Sequence, residues 1–198
     1  VAWKPDYVLT AELKAYLRIT DVVDDTELAL IATAASRAVD RHTKRQFGVV
    51  AAAEERRYTA KWDRRRCRWV IVVDDLMTTT GLVLTAAAGE IDSYTLEPVN
   101  AAQEGRPWER IVVDPDSAVK PTGEEYGVTG EALWGWTAVP STVKLASRLQ
   151  SSRFVARRDS PFGVAGSPEL GSELRLLAKV DPDVGLMLTE YIRWGATA

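Results

Sequence analysis

Apolar residues recur at two different spacings along the chain, and the change from one to the other divides it into three parts. Up to about residue 43 the spacing is helical. Thr10 is placed to cap residues 11–17, and Asp24 with Glu27 has the capping-box spacing that opens a second helix. In that helix Leu28, Ile31, Ala32, Ala35 and Val39 fall on one side, while Thr33, Arg37, Asp40 and Arg41 fall on the other. The pattern predicts an amphipathic helix of about five turns. His42 lies on its apolar flank near the C-terminal end, where imidazolium suits the helix dipole, so capping or packing is expected of it rather than proton transfer.

From about residue 53 to 137 the period shortens. Residues 68–73 are β-branched and apolar, and residues 81–85, 91–96 and 110–113 continue the pattern with glycine, proline and aspartate between them. An antiparallel β domain of five to seven strands is expected. Helical spacing then returns: Pro140 suits a first turn, and residues 141–158 contain neither glycine nor proline. This helix carries two apolar stripes, Val143, Ala146 and Phe154 on one and Leu145, Leu149 and Ala156 on the other, about 140° apart. Two readings are open: a helix wedged between two elements of its own chain, or one with one face on its own core and the other on a neighbouring subunit. Residues 157–168 read as a turn-rich loop, and Asp181-Pro182-Asp183 announces a final helix bearing Val184, Met187, Leu188 and Tyr191. The class is therefore α+β, with a helical part at 1–52, an antiparallel β domain at 53–138 and C-terminal helices at 139–198.

Composition adds bounds. A chain of 198 residues that is 46 % hydrophobic suits one or two domains with a real core. Its net charge of −3 hides an uneven distribution: residues 37–68 carry 11 basic and 4 acidic groups, and residues 69–143 carry 3 basic and 12 acidic. The two stretches are suited to pair with each other, to steer an ordered neighbour or to face a polyanion. The longest uncharged run, residues 76–89, is 14 residues long, short of the roughly 18 apolar residues of a membrane helix. The first residues lack the basic start and apolar core of a secretory signal, so folding in the cytoplasm is expected. A single cysteine, Cys67, read as a free thiol at a strand start, and a single histidine form no zinc set.

No constellation for catalysis stands out: there is no phosphate loop, no Gly-x-Ser-x-Gly and no nucleophile beside His42. Asp74, Asp75, Asp92, Asp114 and Asp116 are the only set that would suit a magnesium ion and phosphodiester hydrolysis, and turn formation explains the same residues. DNA binding is the stronger alternative. Arg56, Arg57, Lys61, Arg64, Arg65, Arg66 and Arg68 are interleaved with Tyr58, Trp62 and Trp69, which combines phosphate contacts with stacking surfaces. The acidic stretch opposes it over any broad face, and a salt-bridged strand pair explains the same residues. The two opening helices do not make a recognition helix, because alanines stand where base-reading side chains are needed.

Residues 7–17, the Asp24-Asp25-Thr26-Glu27-Leu28 segment and residues 34–47, followed much later by 134–140 and by Arg157-Arg158-Asp159-Ser160-Pro161-Phe162-Gly163, resemble the head–tail connector proteins of tailed bacteriophages, also called adaptor or head-completion proteins. The resemblance covers about half the chain, at its two ends, in its longer form; the β-rich middle has no residue-by-residue match. It implies a helical connector core, interrupted by the β domain, and a structural rather than enzymatic role that needs no cofactor or metal. The implied assembly is a ring of typically twelve copies in the virion neck, under the portal, receiving the next neck or tail protein and passing genomic DNA without sequence-specific binding. No membrane partner is expected. The candidate subunit or portal surface comprises Leu145, Leu149, Arg153, Arg157, Arg158, Phe162, Met187, Tyr191 and Trp194. A candidate electrostatic interface sets Arg64, Arg65, Arg66 and Arg68 against Asp114, Asp116, Glu124 and Glu125. Opposite charges on two faces suit the head-to-tail contacts of a ring, and an acidic channel wall repels DNA.

Overall fold

A computed structural model describes residues 3–159, 164–165, 174–175 and 181–193. The chain is α+β and forms two compact units, residues 5–47 with 139–198, and residues 1–4 with 48–138.

The first unit is helical. Helix α1 (Thr10–Leu17) begins one residue earlier than its composition indicates: Thr10 is already helical, and the Leu9 N–H is satisfied by the Glu12 carboxylate at 3.3 Å. Helix α2 (Asp25–Thr43) starts after Asp24 as the spacing predicts. The Asp24 side chain makes no capping bond, because it pairs with Arg158 at 3.2 Å. Leu28, Ile31, Ala32 and Val8 pack with Leu13 of α1, and Phe154 and Val155 of helix α3 (Ser141–Asp159) cover that cluster. Helix α4 (Pro182–Leu188) is capped by Asp181, whose carboxylate accepts the Asp183 N–H at 3.0 Å. Its Val184 and Leu188 are buried. Two-residue strands Val164–Ala165 and Leu174–Arg175 pair antiparallel within the stretch between α3 and α4. Among the described residues no helix is long and apolar enough to cross a membrane.

Asp40 departs from its expected place on the solvent side of α2. It is 6 % exposed and accepts a hydrogen bond from the Tyr7 hydroxyl, while Arg37 Nε lies 3.2 Å from its second oxygen. Ser36 and Thr43 are buried on the same side of the helix. The buried face of α2 is therefore wider than its apolar stripe, extended by Ser36 and Thr43, whose hydroxyls donate to the Ala32 and Val39 carbonyls of the same helix, and by Asp40, held by Tyr7 from outside it.

The second unit has eight strands rather than five to seven: β1 (Glu54–Tyr58), β2 (Ala60–Asp63), β3 (Arg68–Leu76), β4 (Val83–Ala86), β5 (Gly89–Glu90), β6 (Tyr94–Glu97), β7 (Trp108–Val113) and β8 (Val128–Ala132). They form two four-stranded antiparallel sheets, ordered β1-β8-β4-β5 and β2-β3-β7-β6. Ile71, Val73, Ile111 and Val113 of one sheet meet Leu84, Ala86, Val128 and Ala132 of the other around Trp134. The chain passes from the edge of one sheet to the edge of the other through Thr59, the single residue between β1 and β2. The residues entering and leaving this unit are joined by backbone bonds: Val50 N–H to Trp134 C=O at 3.0 Å and Trp136 N–H to Gly48 C=O at 2.8 Å. Gly135, at φ 116°, is required there, since any Cβ would collide with the Gly48 carbonyl and the Trp3 ring.

Candidate functional site

The residues expected to meet other molecules fall on two surfaces. On the helical unit, α3 uses only one of its apolar stripes fully. Val143 and Ala146 are buried, as are Ser147, Gln150 and Ser151 in the turns that follow. Leu145 is 44 % exposed, Ala156 is exposed and Leu149 is half-buried. Helices α1, α2 and α4 all pack on α3, yet Leu145 stays exposed, so the second stripe is only partly covered by the described residues. Arg153 is occupied by Asp181 at 2.8 Å and Arg158 by Asp24, both within the helical unit, while Arg157 is half-buried. Met187 is half-buried, and so is Tyr191, which stacks edge-on against Phe47 with ring centres 5.6 Å apart. Burial raises the Tyr191 hydroxyl above its ordinary pKa. Phe162 and Trp194 lie outside the described residues.

Composition alone misses the exposed apolar side chains Val22, Val23, Leu30 and Leu186 on this unit. Leu30 could have been found, since it falls outside the stripe formed by Leu28, Ile31, Ala32, Ala35 and Val39. His42 lines a crevice with Ala38, Val39, Gln150, Val184 and Leu188 that is too tight to admit a water molecule. Its Nε2 atom is buried without a hydrogen-bond partner among the described residues, which fits a packing role.

On the β unit the basic stretch separates into paired and unpaired charges. Arg56 lies over the Trp3 ring, with its guanidinium carbon 4.5 Å from the ring centre, and bonds Asp74 at 2.7 Å and Glu54 at 3.1 Å. Burial pulls its pKa down, but the hydrogen bond and charge of Asp74 outweigh that, and the net shift is upward. Tyr58 donates to the same Asp74 at 3.2 Å, and its hydroxyl is pushed far above its usual pKa, first by burial and then by the Asp74 charge. Arg66 reaches Glu97 at 2.7 Å, and Arg68 reaches Asp114 at 2.9 Å. Asp114 also accepts from Ser93 and Thr95, each at 3.2 Å. Arg64 and Arg65 occupy the exposed turn between β2 and β3, and among the described residues no acid pairs with either guanidinium. Asp116, Glu124 and Glu125 are likewise exposed.

Of the aromatics offered as stacking surfaces, Tyr58 and Trp69 pack on the core, and only Trp62 is widely exposed, at 48 %. Trp62 and Trp69 sit directly opposite in the β2–β3 ladder and meet edge-on. Cys67 precedes β3 in a left-handed conformation, with φ 54°, so it belongs to the turn rather than to the strand. The aspartates considered for a metal ion are spent separately: Asp75 accepts from Trp136 Nε1 at 2.7 Å, and Asp92 from Ser117. Among the described residues no group of histidine, cysteine and acidic side chains converges as a metal site.

No protein-family model matches the chain, and no curated protein does. Among solved structures, the chain is similar to one from the neck of an empty gene transfer agent (GTA) particle, computed with C6 symmetry. Identity is 20 %, the match spans 98 % of this chain and 94 % of that one, and the TM-score is 0.55. A second similar chain is from the neck of a native GTA particle computed with C12 symmetry, at 23 % identity over 91 % of this chain and 97 % of that one, with a TM-score of 0.47. The first likeness places both units of this chain within one known fold.

Proposed function

We propose that this chain is a structural protein of the neck of a tailed, phage-like particle, and that its copies form a ring joining the portal to the next neck or tail component. The observation that carries the reading is the fold shared with a GTA neck chain over nearly the whole length of both, which agrees with the connector resemblance of the N- and C-terminal segments. That neck was computed with C6 symmetry, and a six-fold axis accommodates the twelve copies that the resemblance implies. In this reading residues 53–138 are a β domain inserted into a helical connector core. The role asks for neither catalysis nor a cofactor, and the protein resides in the virion neck. Part of the acidic surface faces the DNA channel, where like charge keeps the passing duplex from adhering.

The exposed stripe of α3 supports a subunit contact through Leu145 and Leu149. The test is to make each polar in turn, Leu145→Asp and Leu149→Asp, and to follow ring formation by negative-stain microscopy and sedimentation, with and without the portal protein of the same particle. Folded subunits that no longer form rings are expected. Rings of normal stability would remove α3 from the interface, and a wild-type chain that never assembles, even on portal, would overturn the ring itself.

A further inference from the structure

The outward face of the sheet β1-β8-β4-β5 carries an arrangement that an isolated chain has no use for. Glu55 and Glu131 are direct partners in the β1–β8 ladder, and Val83 is the partner of Glu131 on the other side. The next row on this face is Arg57, Thr129, Thr85 and Glu90. Like charges directly opposite in an antiparallel pair are destabilising. Three exposed carboxylates thus share one guanidinium, and among the described residues none of the four forms an ion pair.

The unused positive charge lies on the other sheet. Arg64 and Arg65 stand exposed at the tip of the β2–β3 turn, next to the exposed Lys61 and Trp62. Their neighbours Arg66 and Arg68 take their acids from their own sheet's side of the unit, Glu97 and Asp114. The acidic face points away from the core that the two sheets share, whereas the basic turn ends the opposite sheet. One copy does not satisfy itself, and two such faces suit a head-to-tail contact between copies, the kind a ring uses.

We infer that the β2–β3 turn of one copy docks on the outer face of the β1-β8-β4-β5 sheet of the next, with Arg64 and Arg65 against Glu55 and Glu131 and Trp62 beside Val83. This rests on the ring reading and names the contact its β domains make. A rigid sheet that forces two carboxylates together is the better receptor than Asp116, Glu124 and Glu125, which stand in loops.

Two double variants test it, R64E/R65E and E55R/E131R, with circular dichroism to verify folding. Each alone is expected to need a roughly tenfold or greater protein concentration to assemble, on portal or free. Mixed in equal amounts they are expected to assemble again, because each variant's turn now matches the other's sheet. Rings from each variant alone at wild-type concentrations would overturn the contact and leave the ring standing. Absence of rings from the wild type under every condition would overturn both. Loss of binding to a labelled DNA duplex by R64E/R65E, with assembly unchanged, would assign the turn to nucleic acid instead.

Discussion

The helical unit and the β unit differ in how far they place polar groups inside and outside the core. The helical unit buries a polar network in its interior: Tyr7 donates to Asp40, accepts the Phe47 N–H at 3.0 Å, and gives its own N–H to Ser36 at 3.0 Å. Its surface meanwhile keeps Leu30, Leu145, Leu186, Val22 and Val23 in solvent. The β unit has a mainly apolar interior around Trp134 and Ile71, admits the buried Asp75, which accepts the Trp136 indole N–H, and sets most of its charges in pairs near the surface, such as Arg66 with Glu97 and Arg68 with Asp114. The lesson is that the two surfaces suit different contacts. The proposed contact through Leu145 and Leu149 of α3 is expected to respond little to salt, whereas the proposed contact of the β2–β3 turn is expected to weaken as salt rises.

The largest effect expected is in the β interior. Trp134→Ala removes a fully buried ring whose indole N–H bonds the Glu54 carbonyl at 2.8 Å. A loss of about 3–5 kcal/mol is expected, read from denaturant unfolding followed by tryptophan fluorescence. A change below about 1 kcal/mol would mean that this core is not closed around Trp134.

Tyr7→Phe probes the opposite arrangement. It removes the Tyr7 hydroxyl from both Asp40 and the Phe47 N–H, and should cost about 1–3 kcal/mol at neutral pH. Burial and the bond to Asp40 raise the Tyr7 pKa above its ordinary 10.0. The stability this gives is fully present below pH 10 and is lost as pH rises beyond it, since the unfolded tyrosine ionises first. The wild type should therefore destabilise more steeply than Tyr7→Phe above about pH 10. Parallel alkaline limbs in the two proteins would show that Tyr7 is not held protonated by the fold.

The smallest effect tests the outer charges. Arg66→Ala should change stability by less than about 1 kcal/mol, with the difference vanishing at high salt, because the guanidinium is half exposed. A salt-independent loss of several times that size would make the turn a structural clasp and erase the contrast between the two units.

Much of the fold was legible because its signals are local. The Asp181-Pro182-Asp183 start of α4, the stripe Leu28, Ile31, Ala32, Ala35 and Val39 of α2, and the apolar run opening β3 each follow from neighbouring residues. Strands β1 and β8 were not, since Glu-Glu-Arg-Arg-Tyr and Val-Thr-Gly-Glu-Ala each present one outward charged face and one inward face, and their pairing with each other joins residues far apart in the sequence, Tyr58 with Val128 for example. Asp40 was misplaced for a similar reason: its partner Tyr7 lies 33 positions earlier, beyond any helical periodicity. Among the candidate contact residues, the basic stretch was visible as charge, but its division into occupied Arg56, Arg66 and Arg68 and unoccupied Arg64 and Arg65 depends on which acids the sheets bring near.

The backbone seam at Gly48, Val50, Trp134 and Trp136 also bears on the order in which the molecule folds. Helices α2 and α3 pack on each other although residues 48–138 lie between them. If that segment is a free coil, bringing the helices together means closing a long loop. Once the seam has formed, only the few residues outside it remain to be closed, which lowers the entropy cost by about 2–3 kcal/mol. The β unit then acts as a clamp on its own ends, and the helical pair inherits the shortened loop.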